Sequence, residues 1–147
     1  MIKKAKWHIP LSFFLGKNLN IDILKDKNIL FVEDDKFISD SITPILTKLF
    51  NNVFICKDGE EGLKVFQSNQ HIDFVITDLK MSEMDGLEMV AKIKAIKEET
   101  PSILMTADAD YDSFLRADEI GIYRYLLKPL DIEELLKAIV SYLEEKN

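Results

Sequence analysis

One cysteine, Cys56, in a chain of 147 residues leaves no room for an internal disulfide framework or an all-cysteine metal site. Histidine is nearly as scarce. His8 and His71 stand far apart and neither follows an apolar run, so no His/Cys set exists for zinc, and His71 reads as a surface loop residue. No apolar run approaches the ~20 residues of a membrane span, so no membrane association is expected. The opening "MIKKAKWHIPLSFFLG" has the basic flank and short apolar patch of a secretory signal. His8 and Pro10 interrupt it, however, and no A-x-A-like cleavage site follows. A cytoplasmic, reducing location is the expectation.

What is present is a soluble composition, 47% hydrophobic and 31% charged, at a length that suits one domain. The net charge of −7 is unevenly spread. The first 21 residues carry Lys3, Lys4, Lys6 and Lys17 and no acid. The remainder sets 15 basic residues against 26 acidic ones, a net −11. Such a body is a poor surface for phosphate backbones and argues against direct nucleic-acid binding. It suits a divalent cation or a basic protein patch.

From residue 28 onward, short apolar runs alternate with helical periods. "NILFV" (28–32), "VFIC" (53–56), "DFVITD" (73–78), "SILMT" (102–106) and "YRYLL" (123–127) have strand length. Between them fall Ile38, Ile42, Ile45 and Leu49 at helical spacing, with Pro44 expected to kink that helix. A short helix follows the Asp58-Gly59 turn, with Leu63 and Phe66 inward. Gly86 opens a helix burying Leu87, Val90, Ile93 and Ile96 or close neighbours, and a weaker helix over 112–120 ends at Gly121, a left-handed cap. Asp131, with Glu134 at the reciprocal capping position, starts a last helix whose stripe is Leu135, Leu136, Ile139, Val140 and Leu143. Five strands alternating with five helices predict a doubly wound α/β domain around a parallel sheet, its strands buried on both faces. In such folds the ligand site lies beyond the carboxyl ends of the strands.

At that rim the strands deliver Glu33, Asp34 and Asp35, then Asp78, then Thr106, then Lys128. Each residue alone has an ordinary role as a cap, a strand former or a loop residue. Together they are harder to explain that way. Clustered carboxylates repel one another unless a cation joins them. Their oxygens, with backbone carbonyls and water, suit Mg²⁺. Metal, ammonium and hydroxyl around a spare carboxylate make a site fit to accept a phosphoryl group.

"ILFVEDDK", "VITDLKMSEMDG", "ILMTA" and "YLLKPL", in this order and spacing, resemble the receiver domains of two-component response regulators. The resemblance covers about 27–146 and leaves 1–26 as an N-terminal extension. It implies a flavodoxin-like fold with strand order 2-1-3-4-5. Asp78 would be the phosphoacceptor, filled from a phosphohistidine on a sensor histidine kinase or a phosphotransfer protein. The protein would then be a signalling module for a downstream effector or output domain, not an enzyme on external substrates. Asp34 and Asp78 would hold Mg²⁺ directly, Lys80 through its backbone carbonyl and Glu33 through water. Asp35 would open the following helix. Thr106 and Lys128 would contact the phosphoryl group, Thr106 and Tyr125 would form the switch, and Lys80 and Asp108 would tune its lifetime. Lys128-Pro129 would be cis. Ser82 stands where the family usually has proline, which leaves the loop after Asp78 less rigid.

Two other chemistries fit less well. A flavin phosphate would be repelled by "EDDK", and a phosphatase with an aspartate nucleophile would carry a second acid where this chain has Lys80. A receiver module cut from a hybrid kinase or a multidomain regulator remains an alternative to a stand-alone one. Trp7, Leu11, Phe13, Phe14 and Leu15 make the extension apolar. It is expected either to fold over its own domain or to join two copies in a homodimer.

Overall fold

All five strands run parallel, in the order β2-β1-β3-β4-β5, in a computed structural model that describes residues 19–68, 71–108 and 110–146. The strands are β1 Asn28–Val32, β2 Asn52–Cys56, β3 Phe74–Asp78, β4 Ser102–Thr106 and β5 Arg124–Leu127. The helices are α1 Lys36–Leu49, α2 Gly59–Ser68, α3 Gly86–Ile96, α4 Tyr111–Ile120 and α5 Ile132–Lys146. A 3₁₀ turn, Ile21–Leu24, precedes β1 and packs beside α1 and α5. The fold is the expected doubly wound sheet, and the chain reverses direction of winding between β1 and β3.

Alternation along the strands divides the core in two. Ile29, Phe31, Phe74, Ile76, Ile103 and Met105 face α1 and α5, where they meet Ile42, Leu46, Leu135, Leu136 and Ile139. Leu30, Val32 and Val75 face the other way, onto Phe66, Met89, Val90 and Ile93. Leu104 joins Leu87 and Ala117 beneath α4. β3 and β4 are buried at every position. The expectation of full burial fails for both edge strands: in β2 only Cys56 is buried, and in β5 only Leu126, with Leu127 55% exposed.

Ile96 is likewise exposed, and Met89 is the near neighbour buried along with Leu87, Val90 and Ile93. Ile96 is the last residue of α3. Leu143 is half-buried against the first core cluster. α1 runs unbroken through Pro44, which lies on the exposed side with Asp40, so water can serve the Asp40 carbonyl that loses its N–H partner. Gly121 takes the left-handed conformation (φ 90°) at the end of α4. Asp131 accepts from the N–H groups of Glu133 (2.9 Å) and Glu134 (3.4 Å) at the start of α5. Residues 1–18, most of the extension in which a dimer contact was expected, lie outside the described residues.

Candidate phosphoryl and metal site

The parallel register aligns the strand ends, and the ladder continues past them. Glu33 N–H donates to the Cys56 carbonyl, Leu79 N–H to Met105 and Lys128 N–H to Thr106, at 3.0, 2.8 and 2.8 Å. The residues flanking the rim are therefore fixed by backbone bonds and not by loops alone.

Glu33, Asp34 and Asp78 converge until their carboxylate oxygens lie within 4.8 Å of one another. Lys128 reaches across from the far strand. Its Nζ donates to Glu33 Oε1 at 2.9 Å and to Asp78 Oδ2 at 3.0 Å. The Glu33 side chain is wholly buried, Asp78 is nearly so, and Asp34 is exposed at the mouth. Burial pushes the Glu33 carboxyl up to about 7, against the opposing hydrogen bond from Lys128. Burial also works against the Lys128 ammonium, but hydrogen bonds from it to Glu33 and Asp78 prevail and hold it above its ordinary value. The single ammonium offsets only part of the charge of the clustered carboxyls, and a divalent cation would offset the rest. The donor set is all oxygen, which fits Mg²⁺.

Asp35 faces away from this cluster and caps α1, accepting from Phe37 N–H at 2.9 Å and Ile38 N–H at 3.3 Å. That is the role expected of it. Lys128-Pro129 is cis, as the resemblance implied. Across the mouth, Lys80 and Asp108 form an ion pair at 2.7 Å with both side chains about two-thirds exposed. In the loop after Asp78, Glu83 holds a left-handed conformation (φ 65°), uncommon for a residue with a side chain. It directly follows Ser82.

Thr106 is placed at the rim but turned to its own loop. Its hydroxyl donates to the Asp108 carbonyl at 3.0 Å and accepts from Asp108 N–H at 3.2 Å. The Tyr125 hydroxyl donates to the same carbonyl at 3.4 Å. Burial first, then the charge of Asp110, raises the Tyr125 hydroxyl above its ordinary value. Both hydroxyls thus meet at one acceptor. Sequence reasoning misses that shared carbonyl, because side-chain identity gives no signal for a backbone acceptor. It also misses the weight that Gly86 carries. A Cβ there would overlap the Asp78 carbonyl oxygen, so only glycine lets α3 start so close to the acid. The Asp-Gly dipeptide at 85–86 is the available signal.

The model of the response regulator receiver domain matches residues 29–140. The chain belongs to that family. This receiver domain is 33% identical over 121 residues to the transcriptional regulatory protein GlrR of Escherichia coli, covering 82% of this chain and 27% of that protein. It spans about a quarter of the length of that relative. It is 29% identical over 124 residues to sporulation initiation phosphotransferase F of Bacillus subtilis, covering 84% of this chain and 99% of the relative. Among solved structures, the CheX–CheY–BeF₃–Mg²⁺ complex of Borrelia burgdorferi superposes with a TM-score of 0.74 at 26% identity, over 86% of this chain and 96% of that one. Among the described residues, no helix of the receiver is long and apolar enough to cross a membrane.

Proposed function

We propose that this receiver domain takes a phosphoryl group from a partner's phosphohistidine onto Asp78. The observation that carries the reading is the Lys128 ammonium bridging Glu33 and Asp78, with Asp34 in the same cluster. A carboxylate is a weak nucleophile, so the site must supply positioning and charge neutralisation. An oxygen of Asp78 forms a bond to phosphorus as the P–N bond breaks. The partner histidine, protonated on its other nitrogen, leaves as neutral imidazole with the electron pair of that bond.

Asp34, Asp78 and the Lys80 carbonyl would hold Mg²⁺ directly, and Glu33 would act through water. The ion, when bound, supplies positive charge opposite the acids and the phosphoryl oxygens. The Mg²⁺ in the complex of the Borrelia protein supports a magnesium ion as the cation by likeness. Lys128 stays on the phosphoryl oxygens, and Thr106 turns from the Asp108 carbonyl to donate to them. Tyr125, already a donor to that carbonyl, is then left as its sole hydroxyl partner and moves inward, changing the face made by α4, β5 and α5. This is a local two-state element biased by added charge. The protein promotes its own phosphorylation and dephosphorylation and turns over no other substrate. Its partners are a sensor kinase or phosphotransfer protein upstream and an effector or output domain downstream, in the cytoplasm. Residues 27–146 form the receiver, with 1–26 as an extension.

The test uses phosphoramidate, whose P–N bond has the chemistry of phosphohistidine, with Mg²⁺. Wild type should gain one phosphoryl group, and Asp78→Asn should gain none while keeping its circular dichroism. Asp34→Ala should weaken Mg²⁺ binding more than Glu33→Ala. Undiminished labelling of the Asp78→Asn variant would place the acceptor elsewhere, and the reverse order within the acid pair would overturn the metal assignment.

A further inference from the structure

Of the five helices, α4 is the most lightly packed. It buries only Ala117, where each of the others buries three to five residues. Tyr111, Phe114 and Leu115 stand open to solvent. An element with so little buried surface opens easily, and contacts at its rim decide where it sits. One such contact is aromatic: Phe114 meets Tyr125 edge to face, with ring centroids 5.9 Å apart. Another is polar. The Arg116 guanidinium donates to Asp85 Oδ2 at 3.3 Å.

Arg116 has acids within reach on its own helix, Asp112 four residues before it and Glu119 three after. Its guanidinium nonetheless crosses to Asp85, at the start of α3. Asp85 is firmly held there. Its Oδ1 caps α3 by accepting from Glu88 N–H at 2.8 Å. The next residue, Gly86, lies so close to the Asp78 carbonyl that a Cβ would overlap it, and its N–H donates to the Leu79 carbonyl at 2.8 Å. Asp85 therefore cannot follow a displaced α4 without disturbing the end of β3. The pair sits at the long end of the hydrogen-bond range, so a small shift of α4 breaks it.

We propose that the Arg116–Asp85 pair is a latch that holds α4 in its resting place against the start of α3 and so opposes the switch. The holding of α4 rests on these contacts alone, whereas the effect on the switch rests on Asp78 being the phosphoacceptor. When Tyr125 moves inward it leaves Phe114, and the latch is then the tie that α4 must break to follow. By linkage, a contact made only in the resting position weakens whatever binds the switched one.

The test is amide exchange in the full chain without a phosphoryl analogue, followed by titration with beryllofluoride and Mg²⁺. Arg116→Gln and Asp85→Asn should each speed exchange along α4 by about two- to fivefold, the range for an ion pair of this exposure. Asparagine still caps a helix, so Asp85→Asn removes the charge and keeps the start of α3. The double variant should match the single ones, and amides of β1 and β3 should keep their rates. Beryllofluoride affinity should rise by a similar factor. Unchanged α4 exchange, multiplied effects in the double variant, or equal acceleration in β1 and β3 would overturn the latch. Affinity unchanged in both single variants would overturn its link to the switch. A wild type that binds no beryllofluoride would instead overturn the phosphoacceptor reading, and the exchange comparison would still decide the latch.

Discussion

Glu33 is the residue at which burial and function pull hardest against each other. Its carboxyl stands at about 7 when folded against an ordinary value of 4.5. The folded protein thus keeps a proton that the unfolded chain releases between those values. Stability from this group is therefore fullest below about 4.5 and falls as pH rises toward 7. A tenfold change in proton affinity is worth about 1.4 kcal/mol, so the full loss across that window is on the order of 3 kcal/mol. Urea titrations of wild type and Glu33→Gln at both ends of that window should differ by this amount, and added Mg²⁺ should shrink the difference. Parallel stability curves would contradict the assignment. Lys80 and Asp108, paired over the mouth at 2.7 Å, belong to the same scale. Water must enter in line with the phosphorus–oxygen bond, and the proposed role of the pair is to obstruct that path. Phosphoryl decay should be faster in Lys80→Ala and in Asp108→Ala, with little further gain in the double variant. Unchanged rates, or fully independent effects, would remove the lid role.

Among the elements, the start of α3 and the end of β4 govern the site. Gly86 brings α3 against the Asp78 carbonyl, with Gly86 N–H donating to the Leu79 carbonyl at 2.8 Å. Gly86→Ala should cost about 1–3 kcal/mol, the usual range for overpacking, and should slow phosphorylation by displacing the acid. A variant of unchanged stability and rate would show that the helix gives way freely. Thr106 and Tyr125 share the Asp108 carbonyl. Beryllofluoride with Mg²⁺ should therefore change amide exchange along α4, β5 and α5, and identical exchange would remove the switch. The strands are legible because parallel strands read as apolar runs, and α4 ends at Gly121 as expected. The exposure of Ile96 and Leu127 is not legible. Periodicity fixes which side of an element is apolar, but not where the opposing surface stops. The shared Asp108 acceptor is invisible for a different reason, since any residue offers a carbonyl there.

At the scale of the whole molecule, the sheet order brings residues 33, 34, 78, 106 and 128 to one rim although they are scattered over most of the chain. Each identity is readable as an acid, hydroxyl or lysine closing an apolar run. The bridge from Lys128 to both acids is not, because side-chain reach depends on the packed sheet. The described fold carries the acidic charge, and the basic, apolar segment before it gives the molecule two unlike parts. The central claim is that the rim exists to place one nucleophile, Asp78, beside a cation and an ammonium. Its most direct measurement is peptide mass spectrometry after acetyl phosphate and Mg²⁺. The account predicts a single phosphoryl adduct, located on Asp78 and absent when Mg²⁺ is chelated. An adduct on another residue, or none on Asp78 with Mg²⁺ present, would contradict it.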